Sequence, residues 1–268
     1  MWPFRKRHPL AERGIFQGFT DWHCHILPGV DDGVQTVDEA LDVLALYGKL
    51  GIRTVWLTPH VMEDIPNTTA HLKERFEELK AAYKGTVRLY LAAEYMLDNL
   101  FRERLNDGDL LPLGEKEDRL LVETSYYNPP ANMYGLLERI KAKGFHPVLA
   151  HPERYMYMDT GDYTKLKALG VRFQLNLFAL TGLYGKEVQK KAGGLLKKGY
   201  YDLAGTDLHA GTVMRQPVSY RKLRKIQKRL IVCNNWLKTQ GLTPGKTHPK
   251  VCTLIEKVHL ISERNRLS

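Results

Sequence analysis

Histidines and acidic residues stand at the carboxyl ends of the strands that the sequence predicts. The segment DWHCHILPGVDDG places His23 and His25 two residues apart, so an extended backbone points both imidazoles to one side. One such pair is weak evidence for a site. Six of the seven predicted strands, however, end in histidine, aspartate or glutamate, and none of the six ends in lysine. Because so many acidic groups are costly to desolvate together, their convergence favours a centre that holds several metal ions.

Nine side chains are the candidate ligands of this centre. They are His23, His25, Asp32, His60, Glu94, Glu123, His151, Asp207 and His209. Asp31 and Asp32 are adjacent in one loop, and the loop is expected to supply one carboxylate, counted here as Asp32. Nine ligands hold two or three divalent ions when one carboxylate bridges, and imidazole with carboxylate but no thiolate suits Mn, Fe or Zn.

Strands that alternate with helices must position these residues. Short apolar runs predict strands at Gly18–Trp22, Thr54–Thr58, Val87–Ala93, Arg119–Val122, Pro147–Ala150, Arg172–Leu175 and Tyr201–Ala204. Helical periodicity predicts helices at Val37–Lys49, Thr69–Tyr83, Asp98–Leu105, Met133–Lys143, Tyr163–Ala168 and Lys186–Lys198. Seven strands in successive βα units predict an α/β barrel of parallel strands. The carboxyl ends of its strands open on one face, where barrel enzymes place their chemistry.

The composition excludes several classes of protein. The 268 residues are 43% hydrophobic and 26% charged, as in an ordinary globular chain. No apolar run approaches the roughly 18 residues of a membrane span, and the charged opening segment lacks the apolar core of a secretory signal. Three cysteines far apart make no disulfide framework, which indicates a reducing compartment and a cytoplasmic protein. They are Cys24, Cys233 and Cys252.

The thiol-phosphatase signature C-x5-R is absent from the chain. The position that the arginine would take holds Val30, Thr239 or Val258. This result excludes catalysis by a cysteine nucleophile of that type. Cys24, although it lies between two candidate ligands, is expected to point into the core.

The net charge of +10 is concentrated at one end of the chain. Residues 1–210 hold 27 basic and 28 acidic residues, whereas residues 211–268 hold 13 basic and 2 acidic residues. We therefore expect an N-terminal extension (1–17), a metal-dependent barrel (18–218) and a basic helical segment (219–268). Ser219–Gln240 has the pattern of an amphipathic helix, which would dock on the barrel or recognise an acidic partner or membrane surface.

The motifs DWHCHILPGVDDG, TPH, AAE, LLVETS, LAHPERY and GTDLH, in this order, resemble the polymerase-and-histidinol-phosphatase (PHP) superfamily. Within it, HCHILPGVDDG together with HPERY is similar to the bacterial metal-dependent protein-tyrosine phosphatases of capsular and exopolysaccharide loci. The resemblance covers roughly residues 18–210. It implies a distorted seven-stranded (β/α)7 TIM-like barrel, called the PHP fold.

The resemblance also implies a trinuclear centre, with manganese as the expected metal and iron or zinc as alternatives. His23, His25, Glu94 and Asp207 would hold the first ion, and Glu94, Glu123 and His151 the second. Asp32, His60 and His209 would hold the third. The implied reaction is hydrolysis of phosphotyrosine by a metal-bridging hydroxide. The implied protein substrate is an autophosphorylated bacterial tyrosine kinase that controls polysaccharide export.

Two arginines and one loop are candidates for contact with the substrate. Arg154 in the HPERY motif could fork onto phosphate oxygens, although a surface ion pair with Glu153 or a neighbour would also explain it. Arg215 is a second candidate, at a point where the resemblance fades. Tyr126 and Tyr127, with the following prolines, could form an aromatic wall for a phosphotyrosyl ring or could simply pack a rigid loop.

Three alternative functions remain open. A small-molecule phosphatase of the histidinol-phosphate type would share the metals and the mechanism. A nucleic-acid-binding module or a repair nuclease would account for the basic C-terminal segment, and salt-dependent binding would support it. A non-catalytic regulator is disfavoured because the ligand set is complete.

Overall fold

The computed structural model describes residues 16–209 and two short strands, β1 (Arg7–His8) and β11 (Val218–Ser219). These two strands pair with each other in antiparallel register. Arg215 and the predicted helix beyond Ser219 lie outside the described residues, as do Cys233 and Cys252.

Nine strands make up the curved sheet of the described part. They are β2 (Thr20–Cys24), β3 (Thr54–Leu57), β4 (His60–Val61), β5 (Arg88–Leu91), β6 (Glu94–Met96), β7 (Arg119–Glu123), β8 (His146–Ala150), β9 (Arg172–Asn176) and β10 (Leu203–Gly205). All pairings among them are parallel, in the orders β2-β3-β5 and β4-β6-β7-β8-β9-β10.

Two of the seven predicted strands are interrupted and then continue. Pro59, which has no N–H to donate, separates β3 from β4, and Ala92 with Ala93 separates β5 from β6. The Ala92 N–H donates to the Leu57 carbonyl across the first break at 2.9 Å, and the Glu94 N–H donates to the Pro59 carbonyl at 2.9 Å. The two short sheets are therefore joined into one curled sheet.

β2, at one edge of the curved sheet, also pairs with the residues that follow β10 at the other edge. The Asp207 N–H donates to the His23 carbonyl at 2.7 Å, and the His25 N–H donates to the Leu208 carbonyl at 2.9 Å. A parallel bridge between Cys24 and Leu208 lies between these two hydrogen bonds. Residues directly after β10 thus continue the parallel pairing along β2.

Six helices connect the strands. They are α1 (Val37–Leu50), α2 (Thr69–Ala82), α3 (Asn99–Asp107), α4 (Met133–Ala142), α5 (Thr160–Ala168) and α6 (Lys186–Lys197). Thr36, Thr68 and Asp98 cap the first three helices through side-chain oxygens that accept from backbone N–H groups. None of the helices in the described part is long and apolar enough to cross a membrane.

The predicted fold class is confirmed as α/β with a curled parallel sheet. The six predicted helices are present with bounds shifted by three residues or fewer, and each predicted strand overlaps an observed one. The prediction did not include two further short strands. His60 and Glu94 follow the ends of β3 and β5, and they also begin β4 and β6, because the sheet resumes after each break.

The buried carboxylate of Asp21 joins β2 to Thr206, which follows β10. Asp21 Oδ1 accepts from the Thr206 N–H at 2.8 Å, and Oδ2 accepts from the Thr206 hydroxyl at 2.7 Å and the Tyr47 hydroxyl at 2.7 Å. Burial raises the pKa of Asp21, while these donors act in the opposite direction. The three side chains lie directly behind His23 and Asp207.

We expect Tyr47→Phe to lower the free energy of unfolding by about 1–3 kcal/mol, because it removes a hydrogen-bond donor from a buried carboxylate. Urea denaturation followed by circular dichroism measures the change. Tyr90→Phe is the matched control, since the Tyr90 hydroxyl makes no hydrogen bond with any described residue. Equal stability of the two variants would contradict a role for Asp21 in joining the strands.

Candidate metal centre

All nine predicted ligands lie within the described residues, at the carboxyl-end face of the sheet. His23, His25, Glu94, Glu123, His151 and Asp207 are buried, and so is His60, which remains 8% exposed. His209 is half-buried, and the Asp32 side chain is 67% exposed. The exposure of Asp32 marks the side on which the cluster opens to solvent.

The first group of potential ligands has four members, which are His23, His25, Glu94 and Asp207. The Nε2 atoms of His23 and His25 are 3.1 Å apart, and Glu94 Oε2 lies 3.1 Å from the first and 3.3 Å from the second. Asp207 Oδ1 lies 3.5 Å and 3.4 Å from the same two nitrogens. Atoms that each lie about 2.0–2.2 Å from one shared ion have separations of this size.

A second group shares Glu94 with the first and adds His60 and Glu123. His60 Nδ1 lies 3.3 Å from Glu94 Oε2 and 2.9 Å from Glu123 Oε1. His151 faces the same two carboxylates, with its Nε2 atom 3.1 Å from Glu94 Oε1 and 3.9 Å from Glu123 Oε2. Glu94 therefore offers one oxygen to the first group and the other to His151.

The third group, at the open side, is formed by His25, Asp32, His60 and His209. Asp32 Oδ1 lies 3.4 Å from His209 Nε2 and 3.6 Å from His60 Nε2. The rings of His25 and His209 stack with their centroids 3.9 Å apart. The three groups thus overlap at Glu94, His25 and His60 and form one continuous cluster.

The unpaired atoms of this cluster fit divalent cations. Among the described residues, no hydrogen bond reaches either carboxylate oxygen of Glu94, Glu123 Oε1 or His60 Nδ1, although all four atoms are buried. Burial lowers the pKa of His23, but the charges of Glu94 and Asp207 outweigh it and raise that pKa to about 9. The carboxylates therefore favour positive charge at this cluster, and bound metal ions would displace protons from its imidazoles.

Two further side chains contact the Nδ1 atoms of the two histidines in the first group, whose Nε2 atoms face the other ligands. Asp31 Oδ2 lies 2.8 Å from His25 Nδ1, and Gln174 Oε1 lies 2.9 Å from His23 Nδ1. Asp31 also accepts from the Gly33 and His60 N–H groups. Burial raises the pKa of Asp31, whereas its bond to His25 lowers it more, to about 2. Such partners fix the tautomer of a metal-binding histidine and raise its basicity.

The loop VDDG separates the roles of its two carboxylates. Gly33 approaches the backbone so closely that an added Cβ would lie 2.2 Å from the His25 carbonyl oxygen. The resulting turn places Asp31 behind His25 and directs Asp32 toward His60 and His209. The choice of Asp32 over Asp31 as a candidate ligand is consistent with this geometry.

Two candidate ligands have a left-handed backbone conformation, which is uncommon for residues other than glycine. The φ angle is 31° at His151 and 51° at Asp207. Each residue directly follows or closely follows a strand, so the strained conformation turns its side chain over the carboxyl end of the sheet. Strain of this kind at a non-glycine residue is typical of functional sites.

Arg154 lies beside the cluster and does not pair with Glu153. Its Nη1 donates to Asp207 Oδ2 at 2.8 Å, and its guanidinium lies between the rings of Tyr126 and Tyr184, 4.2 Å and 4.5 Å from their centroids. Glu153 is instead buried, where its carboxylate accepts from the Asn176 N–H and the Tyr201 hydroxyl. The surface ion pair considered from the sequence is absent from the described part of the chain.

Sequence reasoning missed four residues that support the site, which are Asp31 in its positioning role, Gln174, Asn176 and Tyr184. Asn176 donates to Asp207 Oδ2 at 2.7 Å and to the Tyr184 hydroxyl at 3.1 Å. It ends β9, the one predicted strand that had no candidate ligand, and that position is the signal that could have identified it. Cys24 is buried in the core, as predicted.

A family model described as capsular polysaccharide synthesis, CpsB/CapC, matches residues 19–232 of the chain. The tyrosine-protein phosphatase YwqE of Bacillus subtilis (strain 168) is 27% identical over 195 residues, which are 70% of this chain and 76% of YwqE. The tyrosine-protein phosphatase CpsB of Streptococcus pneumoniae is 26% identical over 208 residues, or 70% of this chain and 82% of CpsB.

The fold also matches a solved structure. A crystal structure from a study of YwqE from Bacillus subtilis and CpsB from Streptococcus pneumoniae, described there as unique metal-dependent tyrosine phosphatases, aligns with a TM-score of 0.67. The alignment covers 78% of this chain and 86% of the other, at 23% identity. The match supports the curled α/β architecture described above.

We expect Asp31→Asn to weaken the binding of divalent metal by about 10–100-fold, because the variant loses the carboxylate that orients His25. Titration calorimetry with Mn²⁺ and elemental analysis of the purified protein measure the effect. Asp38→Asn, which removes the same charge from the first turn of α1, is the matched control and should bind metal as the unmodified protein does. Equal affinities of the two variants would rule out this role for Asp31.

Proposed function

The chain belongs to the CpsB/CapC family of capsular polysaccharide synthesis, and on that premise we propose that it is a metal-dependent phosphatase acting on phosphotyrosine in a protein. The observation that carries the proposal is the cluster of buried, unpaired ligand atoms around Glu94, with Arg154 beside it. Such a cluster suits hydrolysis of a phosphate ester, in which cations neutralise the phosphoryl oxygens.

We further propose that the curled sheet is the distorted (β/α)7 barrel of the PHP fold and that residues 18–218 form the catalytic unit. The hydrogen bonds between β2 and the residues after β10 support closure of the sheet. The N-terminal extension 1–17 and the basic segment 219–268 stay outside this unit in the proposal. The scarcity of cysteine supports a cytoplasmic location.

Three divalent ions would occupy the centre, with manganese as the proposed metal. His23, His25, Glu94 and Asp207 would hold the first ion; Glu94, Glu123 and His151 the second; Asp32, His60 and His209 the third. When bound, such ions supply Lewis acidity and make hydroxide available near neutral pH. The sharing of Glu94 between the first two groups supports a bridging role for that carboxylate.

The chain's own residues would fix the phosphate. Nη1 of Arg154 donates a hydrogen bond to Asp207, and the guanidinium contacts the rings of Tyr126 and Tyr184. The other two nitrogens therefore keep a fixed direction. A guanidinium in that position can fork onto two phosphate oxygens. Asn176 and Arg154 together occupy Asp207 Oδ2, which leaves Oδ1 directed at His23 and His25. Arg215 stays a predicted second phosphate contact.

The surface around Arg154 favours a protein substrate over a small molecule. Four large hydrophobic side chains are exposed in the described part, namely Tyr127, Tyr134, Met156 and Leu183. All four follow the carboxyl ends of three neighbouring strands, β7, β8 and β9, and Tyr127 and Leu183 adjoin the two rings that hold Arg154. An apolar rim of this kind can pack against residues that flank a phosphotyrosine.

The leaving group and the partner follow from the same proposal. A tyrosyl oxygen, with a pKa of about 10, departs more readily than an alkoxide and asks less of a general acid. The partner we propose is a bacterial tyrosine kinase that regulates capsular or exopolysaccharide synthesis, in line with the description of the family.

The metal-loaded full chain should release phosphate from a phosphotyrosyl peptide and lose that activity with a chelator. Arg154→Gln should lower kcat/KM by about 100-fold through loss of the phosphate contact, and Arg154→Lys should restore little because lysine lacks the planar fork. Histidinol phosphate and a DNA oligonucleotide are the comparison substrates. Faster turnover of either one would refute the proposed specificity.

We expect Tyr127→Ser and Met156→Ala to raise KM for a phosphotyrosyl protein by about tenfold, because each removes apolar contact area from the rim. Kinetics with p-nitrophenyl phosphate provide the control, since this compound is too small to reach the rim and should show less than a twofold change. If both substrates lose activity in parallel, the rim serves the catalytic centre and not the docking of a protein.

A further inference from the structure

Two arginines lie on the inner face of the curled sheet, at the amino ends of their strands. The candidate metal centre lies at the opposite ends of these strands. Arg119 begins β7, and Arg172 begins β9. Arg172 is paired in register with Val148, which belongs to the buried apolar cluster on the inner face, together with Leu121 two residues after Arg119. Because side chains alternate along a strand, Arg119 lies on the same inner face as Leu121.

Arg119 extends across the inner space to an aromatic stack. Its guanidinium carbon lies 6.0 Å from the ring centroid of Trp22, on the first strand of the sheet. Trp22 stacks on Trp56 with 5.8 Å between centroids, and Trp56 stacks on Tyr90 at 4.7 Å. Leu121 separates Arg119 from Glu123 along the inner face of β7 and belongs with Trp56 to one buried apolar cluster, so the two ends are separate sites.

The arginine pair, Arg119 and Arg172, contains two nitrogens that are buried without a hydrogen bond. Arg119 is 8% exposed, and its Nε forms a long ion pair with the buried Asp118 Oδ1, 3.5 Å away, which also makes no hydrogen bond. Arg172 makes no hydrogen bond or ion pair with any described residue, and its Nη1 is buried. Asp202, the next carboxylate, is occupied by Lys167 and by a backbone N–H.

Arg119 and Arg172 begin the two strands that flank β8, and both lie on the inner face of the sheet. In keeping with this placement, burial and the positive charge of Arg172 lower the pKa of Arg119. Residues at the amino end of barrel strands ordinarily serve stability. Arg119 has Asp118 as a counter-charge, whereas Arg172 has no ion pair with a described residue, so its partly buried charge and its repulsion with Arg119 reduce stability. Stability therefore does not account for the pair.

We propose that the arginine pair is a binding site for a phosphate-type oxyanion, separate from the metal centre. The charge of this oxyanion would balance the guanidinium of Arg172, which has no counter-charge among the described residues, and its oxygens would supply acceptors for Arg172 Nη1 and Arg119 Nε. The exposed edge of the stack beside Arg119 would line the site. Inorganic phosphate and the phosphate group of a small metabolite share this chemistry.

The tryptophans of the stack provide the readout. The chain has four tryptophans, and Trp2→Phe with Trp236→Phe in the full-length protein leaves Trp22 and Trp56 as reporters. Inorganic phosphate is titrated at constant ionic strength, with chloride as the balancing salt, into both metal-loaded and chelator-treated protein. A glucose 6-phosphate titration in parallel distinguishes a phosphorylated metabolite from the free ion by the lower midpoint.

We expect a saturable change in tryptophan fluorescence with the same midpoint in both preparations. Arg172→Gln should raise the apparent Kd at least tenfold, and Arg172→Lys should raise it too, since a lysine keeps the charge but lacks the fork. Arg53→Gln, at an exposed arginine just before β3, is the matched control and should change Kd less than twofold. In phosphate-free buffer, Arg172→Gln should melt at or above the temperature of the parent protein.

Several results would overturn the proposal. One is the absence of any fluorescence response. A response that disappears with the chelator would belong to the metal centre. A response that weakens equally in Arg53→Gln would indicate non-specific attraction. A lower melting temperature for Arg172→Gln in phosphate-free buffer would show that the arginine serves stability. Phosphatase activity of Arg172→Gln is a separate readout, so failure of this site leaves the proposed reaction testable.

Discussion

The buried carboxylate of Glu94 is the group on which the carboxyl-end face depends. Neither of its oxygens receives a hydrogen bond within the described part of the chain, yet three imidazoles lie within 3.3 Å of them on one side and a fourth at 3.1 Å on the other. An isolated carboxylate in this position would be expelled or protonated. Its ionised state is kept by positive charge that surrounds it, whether on protons or on metal ions.

The need to surround Glu94 with positively charged groups also explains why the closure of the sheet lies at the candidate metal centre. The hydrogen bond from the Asp207 N–H to the His23 carbonyl joins first strand to last, and the side chains of both residues belong to the first ligand group. Asp21 fixes this junction from behind through Thr206 and Tyr47. An error in strand pairing would therefore move two ligands relative to Glu94, and fold and site are specified by one set of contacts.

Sequence periodicity was enough to locate the helices and the strands and to expect the candidate ligands on one face, because parallel strands bring their carboxyl ends together. It was not enough to assign supporting roles. Gln174 lies inside a strand, and its contact with His23 depends on two strands that are 151 residues apart in sequence. Asp31 and Asp32 are chemically identical neighbours, and only the close approach of Gly33 to the His25 carbonyl separates their directions. Tertiary packing decides both cases.

The inner face of β7 changes from positive to negative charge along the strand, whereas the inner face of β9 changes from positive charge to neutral amides. The residues on the inner face of β7 are, in order, Arg119, Leu121 and Glu123. Those on the inner face of β9 are Arg172, Gln174 and Asn176. The apolar middle layer, with Trp56 and its stacked neighbours, keeps guanidinium and carboxylate groups apart. Within β7, the apolar Leu121 keeps the guanidinium of Arg119 from neutralising the carboxylate of Glu123. Separation along this strand is thus one reason why the carboxylates at the other end are left in need of cations.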